Sequence, residues 1–248
     1  MSTHDWDAAT YDRVSDPQVE WAHELLARLP LNGDETVLDA GCGSGRVTAL
    51  LVERLPAGRV IGVDSSQSMV EHARAALGDR ATVLRANLTE LELDDPVDAI
   101  FSNAVFHWIE DHDRLFMRLF AVLRPGGRLV AQCGGVGNVA RFHRAAADVG
   151  AEPPYAEYLA GWVGPWNFAG PAETGKRLER AGFTEVDTWL EPRRVAPPDP
   201  SGFLRSVCLR HHLERLPEEL RPGYIEAVRV RCGRELDYVR LNISARRP

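Results

Sequence analysis

The sequence predicts an α/β protein: a doubly wound, mostly parallel seven-stranded sheet with an antiparallel edge strand and helical lid insertions. Three observations carry that expectation. Short apolar runs alternate with helix-period segments from residue 36 to residue 133. A glycine-rich turn, Gly41-x-Gly43-x-Gly45, lies directly between the first run and its helix. A final run places Val239, Leu241 and Ile243 on one face. The 248 residues, 44% of them hydrophobic, suffice for one domain with excursions. Residues 1–248 are therefore read as a single domain. Its core spans about 30–135, 171–190 and 236–248, with lid segments at 1–29, 136–170 and 197–233.

Gln18–Leu29 carries Trp21, Ala22, Leu25, Leu26 and Leu29 on one helical face and stops at Pro30 and Asn32-Gly33. Thr36–Ala40 reads as the first strand, followed by a helix with Val47, Leu50, Leu51 and Leu55 on one side. Arg59–Val63 is the second strand, and Ser66–Leu77 a helix with Met69, Val70, Ala73 and Leu77 inward. Thr82–Ala86 and Val97–Ser102 continue the sheet, and a helix over His112–Leu123 follows. Pro125-Gly126-Gly127 then turns the chain into Arg128–Cys133. Beyond the joint at Gly134, Gly135 and Gly137, helices are expected at Val139–Val149, Tyr155–Gly161 and Pro171–Ala181. Phe183–Leu190 is the sixth strand. Prolines 192, 197, 198 and 200 lead to helices near Phe203–Leu216 and Glu218–Cys232, and Tyr238–Ser244 closes the sheet edge. Residues 1–16 and 136–170 lack dense apolar periodicity and carry glycine at their joints, so they are expected to be mobile lids.

Charge excludes some functions. The net charge of −7 and a pI near 5.6 argue against a nucleic-acid or anionic-membrane binder. Arg229, Arg231, Arg234, Arg240, Arg246 and Arg247 are interrupted by Glu235 and Asp237 and read as a solvated face. The four cysteines show no metal spacing and suit a reducing cytoplasm. No apolar leader opens the chain and no run of roughly 18 apolar residues occurs, so neither export nor a membrane span is expected. His211-His212, without acidic or thiol partners at metal spacing, reads as helix surface, and no metal is expected.

In an open α/β sheet, ligands bind beyond the carboxyl ends of the strands. Asp64, 19 residues after Gly45 and at the end of the second strand, is placed to hold ribose hydroxyls. A dinucleotide fingerprint would need glycine at position 46, which is Arg46, and no Gly-Lys-Ser/Thr phosphate loop is present. The turn thus points to a nucleotide-like ligand other than NAD or FAD.

Val37-Leu38-Asp39-Ala40-Gly41-Cys42-Gly43-Ser44-Gly45 resembles the first motif of class I S-adenosylmethionine-dependent methyltransferases. Val63-Asp64-Ser65-Ser66 with Met69 resembles their second, and the segments 123–129 and 178–183 resemble their approaches to strands five and six. Trp6-Asp7-x-x-x-Tyr11 resembles the N-terminal lid of the trans-aconitate methyltransferase group, and Ser102–Trp108 that group's loop after strand four. The resemblance implies a Rossmann-like methyltransferase fold and S-adenosyl-L-methionine as cofactor, leaving as S-adenosyl-L-homocysteine. It implies backbone contacts to the cofactor at Gly41, Gly43 and Gly45, a ribose contact at Asp64, and Ser65 and Met69 beside the adenine. Asn87 and the Leu88 N–H would read the adenine edge, Asn87 as acceptor for the exocyclic amine, with Tyr11 and Asn103 completing the cofactor side. For the methionyl carboxylate, Arg13 and Arg46 both stay open.

The acceptor implied is a small molecule, with Trp6, Phe106, His107, Trp108 and Arg141 on its side. His107 is a general base for a hydroxyl or amine, or a donor that, with the Trp108 indole, orients a carboxylate. The matched group methylates carboxylates, which are already ionised at pH 7, so the donor role is preferred. Under the base role activity would rise through a pKa near 6.5. Arg141 would neutralise the acceptor. The leading reading is carboxyl O-methylation by a monomer or homodimer. The alternatives are C- or N-methylation of a lipid, quinone or natural product, and a non-catalytic cofactor-binding domain.

Overall fold

Three strands form one wing of the sheet: β1 (Thr36–Ala40), β2 (Arg59–Asp64) and β3 (Thr82–Arg85). The other wing holds β4 (Val97–Asn103), β5 (Leu123–Gly134), β6 (Thr184–Val195) and β7 (Leu236–Arg246). The computed structural model describes residues 16–248, with side chains from Trp21 onward. The spatial order is β3-β2-β1-β4-β5-β7-β6. The first five strands pair in parallel, and β7 runs antiparallel to both β5 and β6.

Period-two alternation divides the core between the two faces of the sheet. On one face Leu38, Ile100, Leu129 and Ala131 meet Leu115, Phe116 and Leu119 of α4 (His112–Val122). Further α/β segments supply α2 (Arg46–Arg54) and α3 (Gln67–Leu77). On the opposite face Val37, Ala99, Phe101 and Val130 meet Leu51 of α2 and the apolar stripe of α1 (Asp16–Leu26). That packing corrects one expectation: residues 21–29 belong to the core and are no lid. Residues 1–15, with Trp6, Tyr11 and Arg13, lie outside the described residues.

β7 is also displaced from its expected place. It is inserted between β5 and β6, and β6 forms the edge. The physical reason lies in the side chains: β7 buries residues on both faces, whereas no residue of β6 is fully buried.

The two excursions contribute α5 (Ala140–Gly150), α6 (Ala156–Leu159), α8 (Pro200–Phe203), α9 (Arg210–Arg215) and α10 (Arg221–Cys232). Between them in sequence α7 (Pro171–Ala181) packs on the sheet. The excursions share one apolar core in which Phe142, Ala146 and Val149 meet Leu204, Leu209, Ile225 and Val228. The buried Tyr224 hydroxyl donates to the Ala146 carbonyl at 2.8 Å. Residues 136–170 therefore have the dense packing that their sequence did not suggest, and their role as a mobile lid loses its premise. The helix expected over 203–216 is broken by a π turn at Leu204–Cys208, closed by Leu209 N–H to the Leu204 carbonyl at 2.7 Å. Among the described residues no helix is long and apolar enough to cross a membrane.

Candidate active site

The carboxyl ends of β1, β2 and β4 open into a cavity of about 880 Å³ that runs on beneath the helical lobe. The glycine turn forms its floor. Gly41 has φ +89°, and a Cβ there would come within 2.2 Å of the Val105 side chain. Only glycine fits. Gly43 (φ +53°) lines the cavity and would place a Cβ in open space. The turn's own N–H groups are engaged: Gly41 and Cys42 donate to the Val63 carbonyl at 2.8 and 3.0 Å, and Gly43 to Asp64 Oδ2 at 3.0 Å. The glycines therefore act by leaving room rather than by offering donors. Gly45 does not line the cavity. It lets the start of α2 approach α3, where a Cβ would stand 3.2 Å from Ala73.

Asp64, Ser65, Met69, Asn87, Leu88 and Asn103 line one end of the cavity. Asp64 Oδ1 accepts from the Ser66 N–H at 2.9 Å, and burial raises its pKa. Asn87 Oδ1 accepts from both the N–H and the hydroxyl of Thr89, each at 3.0 Å. Its two lone pairs are thus occupied, so the acceptor expected there for an exocyclic amine is already engaged. The Asn87 amide offers a donor instead.

The other end is aromatic and basic. Ala104, held at φ +64°, turns the chain after β4 and donates to the Gln132 carbonyl at 2.7 Å. His107 and Trp108 follow on a short 3₁₀ turn. Asn167 staples the facing loop to them: its N–H donates to the His107 carbonyl at 2.9 Å and its amide to the Glu110 carbonyl at 2.9 Å. Trp166 and Phe168 are thereby brought to the wall, Phe168 stacked on His107 at 5.8 Å. His107 Nδ1 accepts from the Gly134 N–H at 3.3 Å, which leaves Nε2 as the protonated nitrogen. Burial, then the Arg240 charge and His112, hold its pKa well below 6.5. The neutral imidazole thus carries its one proton on Nε2.

Residues 37–127 match the family described as a methyltransferase domain. A trans-aconitate 2-methyltransferase of Methylobacterium radiotolerans is 37% identical over 235 residues, covering 90% of this chain and 87% of its own. One from Variovorax paradoxus is 34% identical over 224 residues, covering 89% and 86%. The chain belongs to the trans-aconitate 2-methyltransferase family. Phosphoethanolamine N-methyltransferase 2 of Haemonchus contortus, solved with S-adenosyl-L-methionine, shares the fold. Its TM-score is 0.64 at 18% identity, covering 97% of this chain and 56% of that one.

As a family member the chain is an S-adenosyl-L-methionine-dependent methyltransferase acting on a small molecule. The glycine-turn end of the cavity fits that cofactor: open space stands over Gly43, and a carboxylate stands at Asp64. Among the described residues no group of His, Cys, Asp and Glu is placed to hold a metal.

Several expectations for the site are corrected. Phe106 is 1% exposed and packs into the core edge-on to Phe116, away from the cavity, because its 3₁₀ turn points it opposite to His107. Arg141 also does not line the cavity. Its guanidinium donates to the Cys232 carbonyl at 3.2 Å and its N–H is held by Asp237. Arg46, open as a partner of the methionyl carboxylate, is likewise absent from the cavity wall. The buried cation is Arg240, which the sequence assigned to a solvated face. It is 2% exposed and lines the aromatic end of the cavity with Tyr238. His211 and His212, expected on a surface, are both buried. His211 lines the cavity 5.3 Å from the Trp108 ring, and burial lowers the His212 pKa to about 3.

Asp39, behind the glycine turn, makes a pH prediction. Burial raises its pKa to about 7; the Thr48 hydroxyl, donating at 2.7 Å, opposes the rise and Asp64 adds to it. Unfolded, the carboxyl titrates near 3.8. Between these values the folded state keeps a proton that the unfolded state has released. The group's contribution is intact below pH 3.8 and is lost as pH rises through 7. Asp39→Asn is expected to abolish that loss, up to about 4 kcal/mol between pH 4 and 8. Urea unfolding of both proteins across that range checks it, and parallel curves would refute it.

Proposed function

We propose that the enzyme methylates a carboxylate oxygen of a small polycarboxylic acid, of the trans-aconitate type for which its relatives are named. The observation that carries this reading is Arg240, a buried guanidinium in the wall of the acceptor end beside the neutral imidazole of His107. The planar fork of a guanidinium matches a carboxylate. The four free cysteines are all buried, which supports work in a reducing cytoplasm.

When bound, S-adenosyl-L-methionine supplies an electrophilic methyl group on a sulfonium sulfur that leaves as a neutral thioether. The chain's residues do the rest. Arg240 neutralises and orients the acceptor carboxylate, and His107 Nε2–H and the Trp108 indole add donors. Orientation of this kind lowers a barrier by roughly 7–11 kcal/mol. Phe142, Trp166 and Phe168 line the site and exclude water. A carboxylate is ionised at neutral pH, so no residue has to remove a proton.

Burial lowers the His107 pKa, so the limb expected near 6.5 for a His107 base moves to lower pH and does not separate the two readings there. Substitution decides instead. His107→Gln keeps a donor but cannot act as a base, and kcat is expected to stay within about tenfold of wild type, one neutral hydrogen bond at most being weakened. A loss beyond 10³-fold in Gln would favour base catalysis on a hydroxyl or amine, by the usual size of general-base effects.

A further inference from the structure

Arg240 is held from behind by residues that line no part of the cavity. Gln132 on β5 and Asn242 on β7 are register partners, 2% and 0% exposed. Asn242 Oδ1 receives two hydrogen bonds, from Arg28 Nη1 at 2.6 Å and from Gln132 Nε2 at 2.8 Å. Its Nδ2 donates to Glu191 Oε2 at 3.2 Å. A cation on one side and a carboxylate on the other fix the sense of this amide. Reversing it would set an NH₂ against a guanidinium and an oxygen against a carboxylate. Gln132 must then present its own NH₂ to Asn242 and its oxygen to Arg240, whose Nε donates there at 3.2 Å. The polarity of the Arg28–Glu191 pair, 3.6 Å apart at the surface end of the network, is thus passed through two buried amides to the cavity. The Trp21 ring adds a further constraint, 4.7 Å from the Arg240 guanidinium and edge-on to Tyr238.

We propose that Trp21, Arg28, Gln132 and Asn242 are positioning residues for the methyl acceptor: they fix the rotation of Arg240, so α1 and the segment after it set acceptor affinity from behind the sheet. This rests on the function proposed above, in which Arg240 receives the acceptor carboxylate. Donation runs in one sense from Arg240 through Gln132 and Asn242 to Glu191, with Arg28 joining at Asn242 Oδ1, and the charged end dictates that sense.

The test is calorimetry with trans-aconitate as probe, on full-length protein saturated with S-adenosylhomocysteine, beside steady-state kinetics. Gln132→Met is expected to raise the Kd of the probe and its KM about tenfold, the effect of one hydrogen bond to a charged group, with kcat and the Kd of S-adenosylhomocysteine within twofold. Gln132→Glu keeps an acceptor for Arg240 but loses the donor to Asn242 and offsets the Arg240 charge, and is expected to recover only part of the affinity. Arg28→Met, at the partly exposed end of the network, removes one of the two hydrogen bonds to Asn242 Oδ1 and is expected to give a smaller rise. Combined with Arg240→Met, Gln132→Met should add nothing further. Unchanged probe affinity in a folded Gln132→Met, equal losses in kcat and cofactor affinity, or full additivity with Arg240→Met would overturn the proposal. If Arg240→Met alone left probe affinity intact, the proposed function itself would fail. An effect of Arg240→Met without one at Gln132 would overturn only the positioning role.

Discussion

Arg240→Met is expected to lower kcat/KM for a carboxylate acceptor by roughly 10²–10⁴-fold. A forked guanidinium makes two charge-assisted hydrogen bonds to a carboxylate, each contributing about 1.5–3 kcal/mol. The apolar replacement is close in length and leaves the Trp21 ring packed, so the loss is one of charge and donors. KM for the acceptor should carry most of the change while the Kd of S-adenosylhomocysteine stays near wild type. Arg240→Lys should recover part of it, as a point charge without the fork. An Arg240→Met enzyme with wild-type kcat/KM would remove the buried cation from the mechanism.

Asp64→Ala is expected to weaken cofactor binding on the same scale, for a different reason. The carboxylate has two tasks. It accepts the Gly43 and Ser66 N–H groups, at 3.0 and 2.9 Å, and so holds the glycine turn against the start of α3. It also stands in the cavity where ribose hydroxyls would be received. Two charge-assisted bonds lost amount to about 3–6 kcal/mol, roughly 10²–10⁴ in Kd. Asp64→Asn keeps one acceptor oxygen and should fall between. Titration of S-adenosylhomocysteine into the three proteins checks this, and unchanged affinity in the alanine variant would contradict the assignment. NAD is expected not to bind any of them.

The glycine-turn end of the cavity was legible in the sequence because its geometry is local. Gly41, Gly43 and Asp64 sit at strand ends whose positions follow from two short periodic segments, and the structure brings them to one cavity. The acceptor end is not local. Arg240 alternates with Leu241 and Ile243, and the rule for a half-buried strand sends it to solvent. α1 covers that face, so Tyr238, Arg240 and Asn242 are interior. Nothing within β7 signals the covering helix. His211-His212 misled similarly: adjacent positions on a helix do not share one face, but a π turn and the walls at Trp166 and Tyr224 enclose both. Trp162, Trp166 and Phe168 in a glycine-bearing loop were the available signal for this aromatic wall. Asn87 shows a finer limit, since only coordinates reveal that Thr89 occupies its oxygen.

The methyl group is expected to arrive on a carboxylate oxygen. This is tested most directly by incubating the enzyme with methyl-¹³C-labelled S-adenosylmethionine and trans-aconitate and following the label. The expected result is one equivalent of S-adenosylhomocysteine per labelled methyl, a carbon resonance of an ester methoxyl group, and release of labelled methanol on mild alkaline hydrolysis. No turnover of trans-aconitate or other short di- and tricarboxylates, alongside a base-stable methyl on a phenol, amine or carbon acceptor, would contradict it.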